Sequence, residues 1–220
     1  MGRFKFVLFD LDDTLYPPSS GLMELFKQRI EQYMVSHYGW SADEAEKRRA
    51  EYTLTYGSTI GGLHALYGAD VADYMEYIHD VDHSSFIKPN PALDGMLGRL
   101  PQHKAIFTNS DRGHVMRVLA ALQVSPLHFG KIIDFEEAGR CPKPGEEAYA
   151  RALQIIGASG NDCLLVEDSP RNLATAKLSF GMGTVLVRRS GPVTGRAEDV
   201  ADWIIDDVLG VEAVLGELRG

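Results

Sequence analysis

The chain has 220 residues, of which 45% are hydrophobic and 24% charged, and its formal net charge is −9 at pH 7. This size suits one α/β domain with a modest insertion, and the acidic balance argues against a nucleic acid polymer as the main partner. The two cysteines form no metal or disulfide pattern, and neither a membrane-spanning run nor a signal peptide is recognised, so we expect a cytoplasmic protein without a membrane partner.

The first predicted element is a buried strand at about 4–9, which ends in an acidic turn. No convincing strand follows for some seventy residues (about 17–88). Apolar residues recur there at helical spacing over about 22–37, and further helices are predicted for Ala42–Tyr56 and Val71–His79. The turn-rich joints PPSS and KPNP flank the stretch. We therefore predict a helical insertion at 17–88, which we call the cap.

Behind the cap, apolar runs alternate with helical segments. The runs typical of buried strands lie at about 104–108, 131–134, 163–167, 184–188 and 203–206. Helical periodicity is found at about 112–122, 145–156, 170–179 and 211–218. Strands without polar alternation, separated by helices, predict an α/β fold with a doubly wound, Rossmann-like parallel sheet. Its core would comprise 1–16 and 89–220, with the cap inserted after the first strand.

Charged and polar side chains follow four of the predicted strands. They are Asp10 and Asp12 after the first strand, Thr108 and Asn109 after the second, Lys143 in the loop behind the third, and Glu167 and Asp168 at the end of the fourth. The carboxyl ends of parallel strands meet at one edge of a sheet, where the ligands of such folds bind. One acidic turn is common, but four such strand ends in one sheet predict a functional site.

The carboxylates at this edge outnumber its single lysine. Two unit charges at about 4 Å interact by about 4 kcal/mol at an effective dielectric constant near 20, so the cluster is unfavourable without a cation. Oxygen ligands with no cysteine or histidine among them favour Mg²⁺, which binds carboxylates, waters and a substrate phosphate. We therefore predict a Mg²⁺ site that handles a phosphoryl group, with Lys143 offsetting the remaining phosphate charge.

Four short segments carry a family resemblance. DLDDT at Asp10, IFTN at Thr108, CPKP at Lys143 and VEDSPRN at Glu167 follow one another in the order of the four motifs of haloacid-dehalogenase-superfamily phosphohydrolases. The chain resembles this superfamily through its whole core. An acidic residue at position 12 is typical of the phosphate-transferring members of the superfamily. The dehalogenase branch lacks it, because the halide that those enzymes release needs no proton.

The resemblance implies a role for each motif residue. Asp10 would attack phosphorus and form an aspartyl-phosphate, and Asp12 would protonate the leaving oxygen and then activate water. The implied Mg²⁺ ligands are Asp10, the Asp12 carbonyl, Asp168 and Glu167, the last directly or through water. The implied phosphate-binding residues are Leu11, Thr108, Asn109 and Lys143, of which Thr108 and Lys143 also count as catalytic.

The cap resembles that of pyrimidine 5′-nucleotidase-like members, through segments such as EYTLTYGSTIGGL. A cap inserted beside the nucleophile strand would cover the site and favour small phosphate esters. The resemblance implies a nucleoside monophosphate as the substrate. The candidate contacts are Tyr16, Tyr56, Ser58, Thr59 and Gly62, with packing as the alternative role for both tyrosines.

Other functions stay open at this point. The same chemistry suits a phosphatase of a sugar phosphate, phosphoglycolate or pyridoxal phosphate, or a phosphomutase. A receiver-like signalling module also accepts phosphate on an aspartate, although the cap and Asp12 argue against it. A binding relative without activity is the last alternative, but every catalytic position is filled. Two residues are given no catalytic role: Asp13 is expected to cap or orient its turn, and His114 to lie on the surface or beside a helix dipole.

Overall fold

Six strands form one parallel sheet in a computed structural model, which describes residues 3–188 and 199–217 of the chain. In chain order they are β1 (Phe6–Phe9), β2 (His103–Phe107), β3 (Lys131–Ile133), β4 (Cys163–Glu167), β5 (Gly183–Val187) and β6 (Trp203–Ile205). Their order across the sheet is β3-β2-β1-β4-β5-β6, and every neighbouring pair is parallel. The predicted α/β doubly wound fold is confirmed.

Nine α-helices accompany the sheet within the same two ranges. Those of the cap are α1 (Leu22–Tyr38), α2 (Ala42–Tyr56), α3 (Thr59–Tyr67) and α4 (Val71–His79). The others are α5 (Pro91–Arg99), α6 (Arg112–Leu122), α7 (Glu146–Ile156), α8 (Pro170–Phe180) and α9 (Val211–Glu217). The last residue of the helix predicted at 211–218 lies outside the described ranges.

Helices cover both faces of the sheet. Val7 and Phe9 of β1 belong to one apolar cluster, together with side chains of α5, α6 and α9. Leu8, between them, belongs to a second cluster with side chains of α7 and α8. Successive strand residues point to opposite faces, so both faces of β1 are buried. The apolar run that predicts this strand reflects that two-sided burial.

Helices α1–α4 pack around an apolar cluster of their own. Its buried members come from all four helices and include Tyr33, Met34, Tyr52, Leu63 and Tyr74. Phe135, from the loop behind β3, joins the same cluster. The cap therefore has a separate hydrophobic centre that one residue of the core region helps to complete.

Two helices, α3 and α5, are absent from the sequence-based prediction. Each is nine residues long and contains two glycines, which have low helix propensity and weaken the apolar pattern. Their starts carry the usual capping signals: Ser58 accepts a hydrogen bond from a main-chain N–H of α3, and Asn90 does the same for α5. Packing against neighbouring helices compensates for the low helix propensity of the glycines. Gly62 of α3, for example, packs closely against Tyr52 of α2.

Gly62→Ala is expected to destabilise the protein by about 1–3 kcal/mol. A β-carbon at Gly62 would lie 2.5 Å from Cγ of Tyr52, so α2 and α3 would have to separate to admit it. Urea unfolding measures the loss. Gly216→Ala in α9 is the matched control, because no described atom outside its own helix backbone and its chain neighbours lies within 4 Å of the added carbon. Equal stability of the two variants would contradict this packing role for Gly62.

Strand β1 lies where the strand order reverses. From β1 the order runs to β2 and β3 on one side, and to β4, β5 and β6 on the other. In open parallel sheets such a reversal leaves a crevice beyond the carboxyl ends of the strands, where ligands bind. The turn that follows Phe9 opens into this crevice.

Candidate active site

The acidic turn after β1 places Asp10 at the sheet edge. Asp10 N donates to Val166 O of β4 at 2.9 Å, and the Thr14 hydroxyl donates to Asp10 Oδ2 at 3.1 Å. The Leu11 side chain is buried, so only its main chain can face a ligand. Asp13 has a φ of 57°, a left-handed conformation that aspartate tolerates better than most residues. This conformation is consistent with a structural role for Asp13 in the turn.

The buried ammonium group of Lys143 lies between two carboxylates. Lys143 Nζ donates to Asp10 Oδ1 and to Glu167 Oε2, each at 2.7 Å, and to the Phe107 carbonyl at 2.8 Å. The Lys143 side chain is 1% exposed, so these contacts are shielded from water. All three ammonium hydrogens are thus used within the protein, which fixes the position of this charge.

The end of β2 holds the loop that carries Lys143. Asn109 Nδ2 donates to Lys143 O at 3.0 Å, and Asn109 Oδ1 accepts from Lys143 N at 2.7 Å. Thr108 is buried, and its N–H donates to Ile133 O of β3 at 3.0 Å. Its side-chain oxygen accepts from Ser110 N at 3.1 Å. The end of β2 is therefore linked directly to the end of β3 and to the loop that follows it.

Three buried carboxylates meet at the ends of β1 and β4. Asp10, Glu167 and Asp168 each offer an oxygen, and these oxygens lie within 4.8 Å of one another. Glu167 Oε1 also accepts from the main-chain N–H groups of the next two residues, at 3.2 Å each, and Oε2 accepts from Asn172 Nδ2 at 3.0 Å. Glu167 thus anchors the start of α8 while it holds the lysine.

The electrostatics of this group leave an excess of buried negative charge. Burial, together with the Glu167 carboxylate, raises the pKa of Asp10 to about 7 against the opposing effect of Lys143. Burial also raises the pKa of Glu167. The pKa of Lys143 is raised because Asp10 and Glu167 outweigh the effect of its burial. One lysine therefore cannot balance the carboxylates it contacts, and a bound cation would relieve the rest.

In the presence of a chelator, the free energy of unfolding is expected to fall as the pH rises from about 4 to about 7. Asp10 has a pKa of about 7 in the folded chain and 3.8 ordinarily, so between these values only the folded state keeps the proton. The full difference corresponds to about 4 kcal/mol. Urea unfolding at pH 5 and pH 8 covers about two pH units of this range, which corresponds to about 3 kcal/mol. Asp10→Asn cannot titrate and should show a shallower dependence, and the same slope in both proteins would contradict the assignment.

Asp12 lies apart from the three clustered carboxylates. Its Oδ1 accepts from the Tyr16 hydroxyl at 2.6 Å and lies 2.7 Å from His114 Nε2, and its Oδ2 accepts from the Ser110 hydroxyl at 2.8 Å. Burial favours protonation of Asp12, but the contacts with His114, Tyr16 and Ser110 outweigh it and lower the pKa. Asp10 and Asp12 therefore have different environments two residues apart, which gives them different chemistry.

His114 differs from its sequence-based expectation. The sequence predicts a surface residue or a partner of a helix dipole, whereas the His114 ring is fully buried against Asp12. The cause is topological, since α6 follows β2 and begins at the same sheet edge as the acidic turn. A histidine in the first turn of a helix behind a functional strand end is the signal that could have indicated this position.

The cap residues proposed as substrate contacts lie in different settings. The Ser58 hydroxyl accepts from a main-chain N–H of α3 at 3.1 Å, and Thr59 is buried within the cap. Tyr56 is half-buried and lines a cavity of about 520 Å³ together with Arg140 and Arg171 of the core region. Of the cap candidates, Tyr56 is therefore the one that faces a space between cap and core.

Comparison with known proteins identifies the family. Residues 4–179 match the family description haloacid dehalogenase-like hydrolase. The chain belongs to the haloacid dehalogenase-like hydrolases. The superfamily resemblance noted in the sequence is thereby confirmed, while the 5′-nucleotidase subgroup stays a prediction.

This haloacid dehalogenase-like hydrolase resembles named phosphate-handling proteins. It is 29% identical over 201 residues to phosphate metabolism protein 8 of Saccharomyces cerevisiae, covering 83% of this chain and 61% of that protein. It therefore spans less than two thirds of that relative. It is 27% identical over 218 residues to glyceraldehyde 3-phosphate phosphatase of Methanopyrus kandleri, covering 93% of this chain and 90% of the relative.

Solved structures agree with the family assignment at the level of the fold. A HAD phosphatase from Thermococcus onnurineus superposes with a TM-score of 0.66 at 21% identity, over 99% of this chain and 100% of that one. The haloacid dehalogenase-like match includes every strand end that carries a predicted site residue. No helix in the described parts of this hydrolase is both long and apolar enough to span a membrane.

Proposed function

We propose that this enzyme is a Mg²⁺-dependent phosphomonoester hydrolase that works through an aspartyl-phosphate on Asp10, with pyrimidine nucleoside monophosphates as its substrates. The observation that carries the proposal is the shared lysine, whose Nζ lies 2.7 Å from both Asp10 Oδ1 and Glu167 Oε2. A buried carboxylate held by a fixed positive charge at the strand-order reversal suits attack on an anionic phosphoryl group.

The donor set fits a small divalent cation. Three buried carboxylates offer hard oxygens within 4.8 Å of one another, and the lysine leaves negative charge unbalanced. Asp10, Asp168 and the main-chain carbonyl of Asp12 would hold Mg²⁺. Glu167 would act directly or through water, and its four protein hydrogen bonds favour the second arrangement. When bound, the ion would neutralise phosphate charge and polarise the phosphorus–oxygen bonds.

In the first step, an Asp10 carboxylate oxygen would attack phosphorus as the ester oxygen leaves. Asp12 would give the departing oxygen its proton. The Thr108 hydroxyl and the main-chain N–H groups of Leu11 and Asn109 would hold the other phosphate oxygens. Lys143 would contribute through its charge, because its ammonium hydrogens are all donated within the protein.

In the second step, Asp12 would take a proton from water. The resulting hydroxide would attack the phosphorus of the aspartyl-phosphate, and the bond from Asp10 to phosphorus would break. Inorganic phosphate would leave, Asp10 would be a carboxylate again, and Asp12 would have regained the proton it gave up. The separation of Asp12 from the clustered carboxylates gives it a role distinct from that of Asp10.

A cavity between the cap helices and the loop around Pro142 and Pro144 supports a nucleoside monophosphate. Tyr56 presents an aromatic ring to this cavity, which Arg140 and Arg171 also line, and such a ring suits a planar base. A second candidate is a phosphatase of a small sugar phosphate, which the relative named glyceraldehyde 3-phosphate phosphatase favours. We also propose a cytoplasmic location, because Cys141 and Cys163 are both unpaired thiols.

Phosphate release from a substrate panel tests the proposal. The panel comprises UMP, CMP, purine monophosphates, sugar phosphates, phosphoglycolate and pyridoxal phosphate, each with Mg²⁺ and with a chelator. We expect release that requires Mg²⁺ and favours UMP and CMP. Equal or better turnover of sugar phosphates would replace the nucleotidase assignment by the second candidate. Turnover that persists in the chelator would overturn the metal assignment.

A further inference from the structure

Three buried histidines pack together behind Asp12. His79 lies on α4, His83 lies in the segment between α4 and α5, and His114 lies on α6. The His79 and His114 rings are stacked with their centroids 4.3 Å apart, and those of His83 and His114 lie 5.0 Å apart. The first two belong to the cap segment and the third to the core, so the group joins the two regions.

Hydrogen bonds connect two of these histidines to Asp12 in one line. His83 Nδ1 lies 2.9 Å from Val81 O, and His83 Nε2 lies 2.9 Å from His114 Nδ1. His114 Nε2 in turn lies 2.7 Å from Asp12 Oδ1. His79 is not part of this line, because its Nδ1 contacts Asp111 Oδ2 instead.

The Val81 carbonyl limits where the hydrogen atoms of these bonds can lie. The Val81 carbonyl can only accept, so His83 Nδ1 must carry a hydrogen. Each of the three contacts needs one hydrogen, and two neutral imidazole rings supply only two. The third hydrogen therefore comes either from the Asp12 carboxyl, which then donates to His114 Nε2, or from one additional proton on the two rings, and then His114 Nε2 donates to Asp12. A carboxyl held this way keeps one fixed orientation.

We propose that His114 is a positioning residue for Asp12, and that His83 fixes the His114 ring from the cap side. The inference rests on the proposed acid–base role of Asp12. In that role the bond between phosphorus and the ester oxygen breaks, the oxygen takes the electron pair, and Asp12 gives it a proton. Water later returns one proton to Asp12. His114, Tyr16 and Ser110 together hold the carboxyl in place for both transfers.

The dependence on the leaving group tests this role. An alkyl phosphate needs a proton on its departing oxygen, whereas p-nitrophenyl phosphate releases a stable phenolate without one. We expect His114→Phe to lower kcat by about 100-fold on the best alkyl phosphate of the panel and by only a few-fold on p-nitrophenyl phosphate. His114→Gln, whose side-chain amide can either donate to Asp12 or accept from it, should recover part of the loss. His83→Phe should give a smaller loss with the same substrate dependence.

His79→Phe is the matched control, since it alters a buried ring that stacks on His114 without reaching Asp12. Any loss it causes should be equal on both substrates, and thermal unfolding shows which variants are folded. If His114→Phe does not fold, His114→Gln and His83→Phe still provide the test. Equal losses on both substrates in the folded variants of His114 and His83 would overturn the proposal.

Asp12→Asn separates this inference from the proposed function. Asp12→Asn should itself lose far more activity on the alkyl phosphate than on p-nitrophenyl phosphate. If it does and the His114 variants do not, the positioning role alone is wrong. If Asp12→Asn shows no such difference, the acid–base role of Asp12 is wrong and the role of His114 falls with it.

Discussion

Asp10→Asn is expected to lower phosphate release by on the order of 10⁴-fold or more on every substrate of the panel. The amide oxygen is a poor nucleophile and carries no charge, so the aspartyl-phosphate cannot form at a useful rate. Single-turnover assays with Mg²⁺ and a phosphate-detecting reagent measure the residual rate. Trapped phosphoprotein should be present in the wild type and absent from the variant.

The structure indicates that this loss comes from chemistry rather than from folding. Lys143 keeps Glu167 as a partner when Asp10 is neutral, so no buried charge is left unpaired. Asp13→Asn is the matched control, because it makes the same change in the same turn. Asp13 has a left-handed backbone conformation, which asparagine also tolerates. It should retain most of the activity. Asp10→Asn with near-wild-type turnover would rule out the covalent mechanism.

Lys143→Met is expected to remove phosphatase activity and to destabilise the protein by about 3–5 kcal/mol near neutral pH. The substitution leaves Asp10 and Glu167 buried together without the ammonium group that they share at 2.7 Å. Because both carboxyls can then take up protons, the loss of stability should be smaller at pH 5 than at pH 8. Urea unfolding at the two values measures the difference.

Lys177→Met is the control for the lysine substitution. Lys177 pairs with Asp202 at 2.9 Å, but both side chains are about a third exposed, so water screens the pair. Its removal should cost less than about 1 kcal/mol. A similar loss in Lys177→Met and Lys143→Met would mean that the buried position of Lys143 does not matter, contrary to the structure.

The edge strands β3 and β6 are partly exposed, but the sheet could be predicted from the sequence because its inner strands are buried on both faces. Such strands give continuous apolar runs, and all six predicted runs appear as strands in the described residues. The glycine-containing helices α3 and α5 could not be predicted in the same way, because contacts between helices compensate for their propensity. The closeness of Gly62 to Tyr52 is such a contact, and it has no signature in the sequence around either residue.

The candidate site was predictable at the level of its members, but the contacts among them were not. Parallel strands place their carboxyl ends along one edge, which is enough to bring Asp10, Lys143 and Glu167 together. That one ammonium group bridges both carboxylates depends on side-chain geometry. The line from His83 through His114 to Asp12 was missed for the same reason, since each contact joins residues from different elements.

The position of β1 at the centre of the sheet also has a consequence for the order of events during protein synthesis. The first strand pairs with β2 and β4, both of which leave the ribosome much later, and Lys143 follows Asp10 by 133 positions. Until those segments emerge, the acidic turn has neither its lysine nor its neighbouring strand. Such long-range pairing slows folding, so the acidic turn should reach its final environment only after Lys143 and β4 have been synthesised.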